Sequence, residues 1–418
     1  MQHSAGSWTK AVPMLLVGAC ANDPAPVLTG GPVAPCILEQ STLVLADGTE
    51  LFVEGQDVFQ VRGEWMQAGA PSYAWSVAPG RDAINLSRDA YVAAFHGPPA
   101  RAISNPLGRR IGGLISTPLE DGRWAAIFDE VHPDSMPTVP LGYWYGEHDG
   151  EEWSLLEPLP VPAGSELSLR ESSGLVRVGD RLLWIAYERR GLEQPNLRRY
   201  ERADGVWRSE PLPDESVELV VLEVDGGSGI WMLLAGEDPD LPGFQKSIRL
   251  YREGLVEGRR EGTPRELVSR VAVVQGSVPE IVHTSLQVRD GTAAVSWALA
   301  SEVGVRAFAR IGVGAGRAGD LVVLDDNALH LYSMTLPDGS LAWVAEHGER
   351  ETQRKELRLL RLDESRVVTA ATAPSPFTGF FRARPSGPNE VLLVGAQMGL
   401  VPTETPVRSL ILRLSASC

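Results

Sequence analysis

The sequence has few lysines, few cysteines and no long apolar segment, and each shortage argues against a class of protein. Its 418 residues include three lysines and carry a formal net charge of −16, which disfavours nucleic acid as a partner. No apolar run approaches the ~20 residues that a membrane-spanning helix needs. Apolar residues keep helical spacing for no more than two turns, which argues against a helical fold.

Motifs for metals, cofactors and nucleophiles are also missing. The seven histidines include no HExxH and no closely spaced pair, and none has a cysteine nearby. The Gly-Gly-Ser-Gly stretch at 226–229 lacks the frame of a nucleophile elbow. The acidic turn at 236–243 lacks the alternating oxygen ligands of a calcium loop. The sequence therefore predicts no metal and no cofactor, and it singles out no catalytic residue.

Glycine and proline, by contrast, are plentiful. The chain has 43 glycines and 31 prolines, and they are scattered without a period. Hydrophobic residues make up 43% and charged residues 22%, as in an ordinary folded protein. This composition predicts many turns between short elements.

The N-terminus has the pattern of an export signal. Lys10 precedes a short apolar stretch at 11–17, and the sequence LVGAC at 16–20 resembles a bacterial lipobox. The resemblance implies a signal peptide at 1–19 and a lipid anchor on Cys20, and hence a place in the bacterial cell envelope, outside the cytoplasm, at the outer membrane or cell surface. An ordinary secretory signal or a mis-called start is the alternative. Residues 20–35 are rich in proline and glycine and are predicted to be an extended tether.

The two remaining cysteines flank the rest of the chain. Cys36 follows the tether and Cys418 is the last residue. In an oxidising compartment an even pair is most simply a disulfide, which would close residues 36–418 into a loop. Two free thiols are the alternative.

One phrase occurs twice. GYWYGEHDGEEWSLLEPLP begins at 142 and LRRYERADGVWRSEPLP begins at 197. Tyr145 and Tyr200 are 55 residues apart, whereas Trp153 and Trp207 are 54 apart. Alternating residues around Asp-Gly predict a hairpin in each copy. A fainter version at 58–71 is predicted to be a related outer hairpin. The residues expected to form the turn and brace it are Asp149, Gly150, Trp153, Asp204, Gly205 and Trp207.

A second set of segments lies between these phrases. Five short apolar runs contain Trp124, Trp184, Trp231, Trp297 and Trp343. Such runs are typical of strands buried on both faces. Repeats of roughly 50 residues with an apolar strand and an outer hairpin resemble those of β-propellers. The sequence predicts an all-β fold, a single propeller of seven blades, with eight or six as alternatives. The last unit lacks an outer strand, which a strand within 36–46 would supply. A pair of β-sandwiches is the competing fold.

The turns also resemble a known motif. HDGEEW (148–153) and ADGVW (203–207) are similar to the Asp-box turns of sialidase-like propellers, although Gly follows Asp directly here. That resemblance implies a structural role for these residues. The sequence favours a monomeric binding or scaffolding module with an unknown protein or glycan partner at one end of the propeller. It favours membrane contact through the lipid anchor alone. A sialidase-like or other carbohydrate-active hydrolase is the alternative.

Overall fold

The computed structural model describes most of the chain from residue 111 onward and separate strands before it. The described residues are 37–42, 60–67, 70–77, 89–94, 101–103, 111–119, 123–131, 140–149, 152–169, 173–190, 196–212, 217–225, 229–238, 245–253, 266–271, 279–301, 304–314, 317, 319–348, 354–363, 366–377, 381–387, 389–397 and 408–415. All the regular elements within these residues are β-strands. The described residues contain no helix that is long and apolar enough to cross a membrane.

The first fourteen strands form the N-terminal part of the fold. In chain order they are β1 (Ile37–Thr42), β2 (Gln60–Gln67), β3 (Ala70–Val77), β4 (Asp89–Ala94), β5 (Arg101–Ile103), β6 (Ile111–Pro118), β7 (Trp124–Val131), β8 (Pro140–His148), β9 (Trp153–Pro158), β10 (Glu166–Ser168), β11 (Val176–Val178), β12 (Arg181–Arg189), β13 (Asn196–Ala203) and β14 (Val206–Pro211).

Fifteen further strands follow. They are β15 (Val217–Asp225), β16 (Gly229–Glu237), β17 (Lys246–Glu253), β18 (Glu266–Val271), β19 (Glu280–Arg289), β20 (Thr292–Ser301), β21 (Gly304–Val313), β22 (Asp320–Asp325), β23 (Ala328–Thr335), β24 (Leu341–Gly348), β25 (Lys355–Asp363), β26 (Arg366–Pro374), β27 (Phe381–Gly387), β28 (Glu390–Gln397) and β29 (Arg408–Ser415).

These strands pair into seven antiparallel sheets, which we number as blades 1 to 7. Blades 1, 2, 4, 5 and 6 each take four consecutive strands, starting at β2, β6, β15, β19 and β23. In blade 3 the first strand is split into β10 and β11, which both pair with β12. From β2 to β27 the first strands of successive blades lie next to one another. This arrangement is a β-propeller, as the sequence predicts.

Blade 7 joins the two ends of the chain. Its sheet has the order β1-β29-β28-β27, so the N-terminal strand supplies the outer position. β1 runs antiparallel to β29, with Ile37 opposite Leu414 and Thr42 opposite Leu410. The predicted completion of the last blade by the two terminal segments is therefore confirmed, and β1 covers the edge of β29 that would otherwise be unpaired.

The tryptophan-bearing runs form second strands. In β16 every residue except the last is buried, whereas in the outer strand β14 none is. Neighbouring blades cover both faces of a second strand, which therefore needs apolar residues at successive positions. The outer strand pairs with a neighbouring strand along one edge only, so it tolerates charged side chains. This contrast explains the two kinds of segment seen in the sequence.

The two ends of the ring carry different connections. One end carries the links from second to third strands and the links from each blade to the next, and we call it the loop end. We call the other the turn end, because the hairpin turns lie there. One of them joins β13 to β14 through Asp204 and Gly205, whose φ angles are 51° and 74°. Positive φ at both residues is the geometry of a type I′ turn, which Asp-Gly favours.

The two copies of the repeated phrase differ in structure. Tyr145 and Tyr200 belong to the same apolar cluster, which lies between blades 2 and 3. Tyr145 therefore faces the following blade and Tyr200 the preceding one. The first copy also has a register shift opposite Glu147 and His148, where β9 carries one residue more than β8. Because side chains alternate along a strand, this extra residue changes the face that the β9 side chains beyond it occupy.

The fainter phrase at 58–71 does not form an outer hairpin. Its described residues, 60–67 and 70–71, lie in β2 and β3, the two innermost strands of blade 1. A glycine and a tryptophan between alternating residues occur in any hairpin of such a sheet, so this pattern does not distinguish inner from outer strands. That prediction is wrong.

Candidate functional site

Buried carboxylates recur at the loop end of the propeller. Glu130, Glu188 and Glu346 lie near the ends of the second strands β7, β12 and β24, and Asp238 directly follows β16. None of the four is more than 3% exposed. A buried charge is tolerated only where it is paired or hydrogen-bonded, so the partners of these groups define what the loop end can do.

Glu346 forms the centre of a cluster between blades 6 and 7. The Ser375 hydroxyl donates a hydrogen bond to its Oε1. Its Oε2 lies 3.6 Å from Lys355 Nζ and 3.7 Å from His330 Nε2, but accepts no hydrogen bond from the described residues. Burial raises the pKa of Glu346, and Ser375 and Lys355 oppose that rise without cancelling it. We call Glu346, Ser375, Lys355 and His330 the Glu346 centre.

Histidine and aromatic rings extend this centre towards the innermost strands. The His330 ring packs edge-on against His283 of blade 5 at 5.6 Å between centroids, and against Phe381 of blade 7 at 5.9 Å. His283 Nε2 donates to the Leu329 carbonyl at 3.2 Å, which fixes its ring. Blades 5 and 6 thus contribute two imidazoles and one carboxyl group to this region, and blade 7 adds the Phe381 ring.

Glu188 forms a contrasting cluster between blades 2 and 3. Its Oε2 accepts a 2.7 Å hydrogen bond from Arg198 Nε, and its Oε1 accepts one of 3.1 Å from Arg190 Nε and another from the Ser165 hydroxyl. Burial alone would raise the pKa of Glu188. The hydrogen bonds from Ser165, Arg198 and Arg190 outweigh that effect and lower it. Glu188 is therefore a fixed negative charge.

A third cluster links blades 5 and 6. Asp325 accepts hydrogen bonds from His347 Nδ1 at 2.8 Å and from Arg358 Nη1 at 2.9 Å. Its Oδ1 also accepts one from the Asn327 amide at 2.7 Å. Burial raises the pKa of Asp325, but these donors reverse the effect and lower it. The contacts orient His347 and tie the two blades together.

These groups can bind ligands, and they can donate and accept protons. Their grouping also decides whether they could hold a metal ion. Among the residues that the structure describes, no three His, Cys, Asp or Glu side chains are grouped so that they could hold a metal ion. The chemistry available at the Glu346 centre is hydrogen bonding and proton transfer by a carboxyl group and two imidazoles.

The residues predicted from the sequence lie elsewhere. Cys20, Cys36, Cys418 and Gly150 fall outside the described residues. Asp149 lies at the turn end, where its carboxylate accepts a 2.8 Å hydrogen bond from the Glu152 amide. None of the described turn residues contributes to the loop-end clusters.

The two predicted tryptophans brace their blades in different ways. Trp207 packs edge-on against Tyr145 of the preceding blade, at 5.2 Å. Trp153 packs within its own blade, 5.1 Å from His148 and 5.5 Å from Phe128. Burial lowers the pKa of His148 to about 4, so this histidine is neutral. These roles are structural.

Sequence reasoning missed the histidine pair and the carboxylates, although signals for both exist. His283 and His330 are 47 residues apart, within the range of the blade repeat, and occupy the first strands of successive blades. A spacing that matches the repeat places two residues side by side in the ring. Similarly, four of the five tryptophan runs end in or next to an acidic residue that the structure buries: Glu130, Glu188, Asp238 and Glu346.

Comparisons with known proteins give only distant similarities. No protein-family model matches the sequence, and no curated protein matches it significantly. Among solved structures, the chain is similar to a protein of unknown function from Dyadobacter fermentans, with a TM-score of 0.45 and 14% identity over 91% of this chain and 98% of that one. It is also similar to the endosialidase of phage phi92, with a TM-score of 0.44 and 8% identity over 90% and 69% of the chains. A Hadza microbial sialidase, Hz136, gives 0.42 and 9% over 79% and 74%. At these values no activity is transferred.

Proposed function

We propose that this protein is a lipid-anchored binding propeller of the bacterial envelope that presents its loop end away from the membrane to a protein or glycan partner. The observation that carries this proposal is the position of β1. As the outer strand of blade 7, β1 begins at the turn end and runs to the loop end. A tether that precedes β1 would therefore join the ring at the turn end, opposite the clusters of Glu346, Glu188 and Asp325.

The loop end has the properties of a binding surface. The His330 side chain is 14% exposed and that of Lys355 33% exposed, so both reach solvent from the buried Glu346. Glu346 Oε2 accepts no hydrogen bond from the described residues, and a ligand hydroxyl or amine that donates to it would satisfy it. Binding sites on propellers and other scaffolds use such loop-bearing ends, where several elements converge.

The orientation can be tested with two matched positions. Leu141 is the second residue of β8, at the loop end, and is 53% exposed. Val206 follows the turn at the other end and is 55% exposed. A fluorophore would be attached to Leu141→Cys or Val206→Cys in the full lipidated protein, reconstituted in vesicles that contain a headgroup quencher. We expect stronger quenching at 206 than at 141. Equal quenching, or the reverse order, would contradict the proposed orientation. Label on the unsubstituted protein gives the background.

The anchor and the predicted disulfide have their own tests. Cys20→Ala should move the protein from the membrane to the soluble fraction, and unchanged partitioning would refute the lipid anchor. Intact-mass analysis before and after reduction should show a gain of two hydrogens if Cys36 and Cys418 are joined. An unchanged mass would leave them as free thiols.

Binding itself can be tested on glycan and peptidoglycan arrays with the purified full-length chain. Saturable binding that Glu346→Gln weakens would support the proposed site. Binding that this variant leaves unchanged would place the partner elsewhere. Glu157→Gln is a suitable control because Glu157 forms its ion pair with Arg202, away from the Glu346 centre.

A hydrolase is the second candidate, and one observation favours it. Glu346 is a buried carboxyl group whose pKa is raised by burial, which is the property of a general acid. In that case the wild type would release reducing sugar from a glycan on the array, and Glu346→Gln would abolish the release. Saturable binding without any release of sugar by the wild type would reject this candidate.

A further inference from the structure

A cleft opens at the loop end between blades 2 and 3, three blades away from the Glu346 centre. Its volume is about 370 Å³, which is within the range of small-molecule sites. The residues that line it are Pro140, Leu141, Gly142, Tyr143, Trp144, Pro158, Leu159, Val161, Pro162, Ser165 and Glu166. Most of these side chains are apolar, although polar and apolar atoms contribute about equally to the surface of the cleft, and its one charged side chain, Glu166, lies at the edge next to Ser165.

An arginine is held beside that edge. Arg190 Nε donates to Ser165 Oγ at 3.2 Å and to Glu188 Oε1 at 3.1 Å. Ser165 therefore belongs both to the cleft and to the support of this arginine. The Arg190 side chain is 46% exposed, and the hydrogen bonds that it makes to described residues run through its Nε. The guanidinium group is thus fixed through one nitrogen and is partly exposed.

The local charge favours an anion. Glu188 is shared by Arg190 and Arg198, whose Nε lies 2.7 Å from Glu188 Oε2. Arg190 therefore has no carboxylate of its own, although Glu166 at the edge of the cleft adds a second negative charge nearby. An exposed guanidinium edge binds a planar carboxylate through two parallel hydrogen bonds. This interaction acts at contact distance, whereas the net charge acts over a range that salt screens.

The rim of the cleft limits how much negative charge the ligand can carry. Glu166 is exposed at the same edge, where it pairs in register with Arg189. Its carboxylate would repel any bound anion, and a dianion more strongly than a monoanion. A monoanionic carboxylate therefore fits better than a dianionic phosphate, and the leucine, valine and proline side chains of the lining can pack against an apolar or aromatic body.

We propose that this cleft is a second binding site, which takes a small monocarboxylate with its acid group on Arg190 and its body between Leu141, Val161 and Pro162. The site goes beyond the proposed function because it uses none of the residues of the Glu346 centre. It can exist whether or not that centre binds a partner.

The test compares three probes that share one ring. Benzoate, neutral benzamide and dianionic phenyl phosphate would each be titrated into the full-length protein and followed by saturation-transfer NMR. We expect benzoate to bind at least ~10-fold more tightly than either of the others, which corresponds to about 1.4 kcal/mol. Equal affinities for benzoate and benzamide would overturn the proposal, as would tighter binding of phenyl phosphate.

Two variants locate the site. Arg190→Gln should weaken benzoate binding at least ~10-fold, whereas Arg208→Gln should have no effect, since Arg208 is exposed on the outer strand β14. Arg190→Lys keeps the charge but loses the flat edge, so we expect an intermediate loss and a protein that folds even if the glutamine variant does not. Benzoate binding that neither Arg190 variant changes would show that the anion binds elsewhere.

Discussion

Glu188 and Glu346 are the same kind of residue at comparable places, near the loop end of a second strand, and yet their surroundings give them opposite properties. Glu188 faces blade 2 and receives hydrogen bonds from two arginines and a serine. Glu346 faces blade 7 and receives one from Ser375, with Lys355 and His330 beyond hydrogen-bonding distance. The pKa of the first is lowered and that of the second is raised.

The difference shows that burial alone does not decide the charge of a carboxyl group. Both side chains are 4% exposed or less, so the penalty of desolvation acts on both. What differs is the number of donors in direct contact, because a guanidinium that donates to the carboxylate stabilises the charged form. Glu188 is therefore part of the framework, whereas Glu346 is free to change its protonation.

The largest expected effect is the loss of stability when Glu188 is neutralised, compared with the small change when Glu346 is neutralised. Glu188→Gln leaves Arg198 buried without its counter-charge and should lower the free energy of unfolding by about 3 kcal/mol. Glu346→Gln removes a charge that burial disfavours and should change it by less than about 1 kcal/mol. Urea denaturation at pH 7 measures both. Equal losses in the two variants would break the comparison.

The pH dependence of stability should differ in sign. Because the folded-state pKa of Glu188 lies below its ordinary value of 4.5, its contribution is present above that value and lost as the pH falls through the lowered pKa. Because the pKa of Glu346 is raised, its contribution is greatest below 4.5 and is lost as the pH rises through the raised pKa.

Denaturation series from pH 3 to 9 test these signs. We expect Glu188→Gln to flatten the acidic limb and Glu346→Gln to flatten the limb above 4.5. Glu223→Gln is a needed control, because burial raises the pKa of Glu223 to about 7 and its effect falls in the same range as that of Glu346. A Glu346→Gln profile parallel to that of the wild type would contradict the account.

The two serines should give similar, smaller effects. Ser165→Ala and Ser375→Ala each remove a hydroxyl that donates to one of the carboxylates, and each should cost about 1 kcal/mol at pH 7. The comparison is sharpened by their effect on protonation: Ser375→Ala should raise the pKa of Glu346 further, whereas two arginines should keep Glu188 ionised in Ser165→Ala. Proton uptake on unfolding, measured by potentiometry, distinguishes the two.

The smallest effect is expected for Lys355. This side chain is one-third exposed and lies 3.6 Å from Glu346 Oε2, so Lys355→Met should change the free energy of unfolding by about 0.5 kcal/mol or less. The same substitution should raise the pKa of Glu346, because it removes a nearby positive charge. A loss comparable to that of Glu188→Gln would mean that Lys355 and Glu346 form a strong ion pair.

The fold could be predicted from the sequence because the sequence repeat spans whole strands and does not depend on the register of single residues. Runs such as those around Trp231 and Trp297 recur whenever a second strand is covered on both faces, and the missing outer strand of the last unit pointed to a strand near the N-terminus. The finer correspondence of Tyr145 with Tyr200 misleads, because the two tyrosines face opposite neighbouring blades. The amino-acid sequence of the repeated phrase does not show which face of the sheet each side chain occupies.

The candidate site could largely not be predicted from the sequence, because its contacts join residues that are distant along the chain. Ser375 reaches Glu346 from a different strand end, and Ser165 reaches Glu188 from the link between two blades. Such contacts depend on the twist and packing of the sheets rather than on any local motif. The exception is the pair of His283 and His330, whose spacing within the range of the blade repeat would have predicted their contact.

The protonation of Glu346 can be measured most directly by a ¹³C NMR titration of the protein labelled at its glutamate carboxyl groups, with Glu346→Gln, Glu188→Gln and Glu223→Gln as assignments. The account predicts a resonance that titrates above the ordinary glutamate range and disappears only in Glu346→Gln. It also predicts one that titrates below that range and disappears in Glu188→Gln. If the resonance lost in Glu346→Gln titrates at or below the ordinary range, the Glu346 centre is a fixed charge like Glu188, and the distinction between the two regions fails.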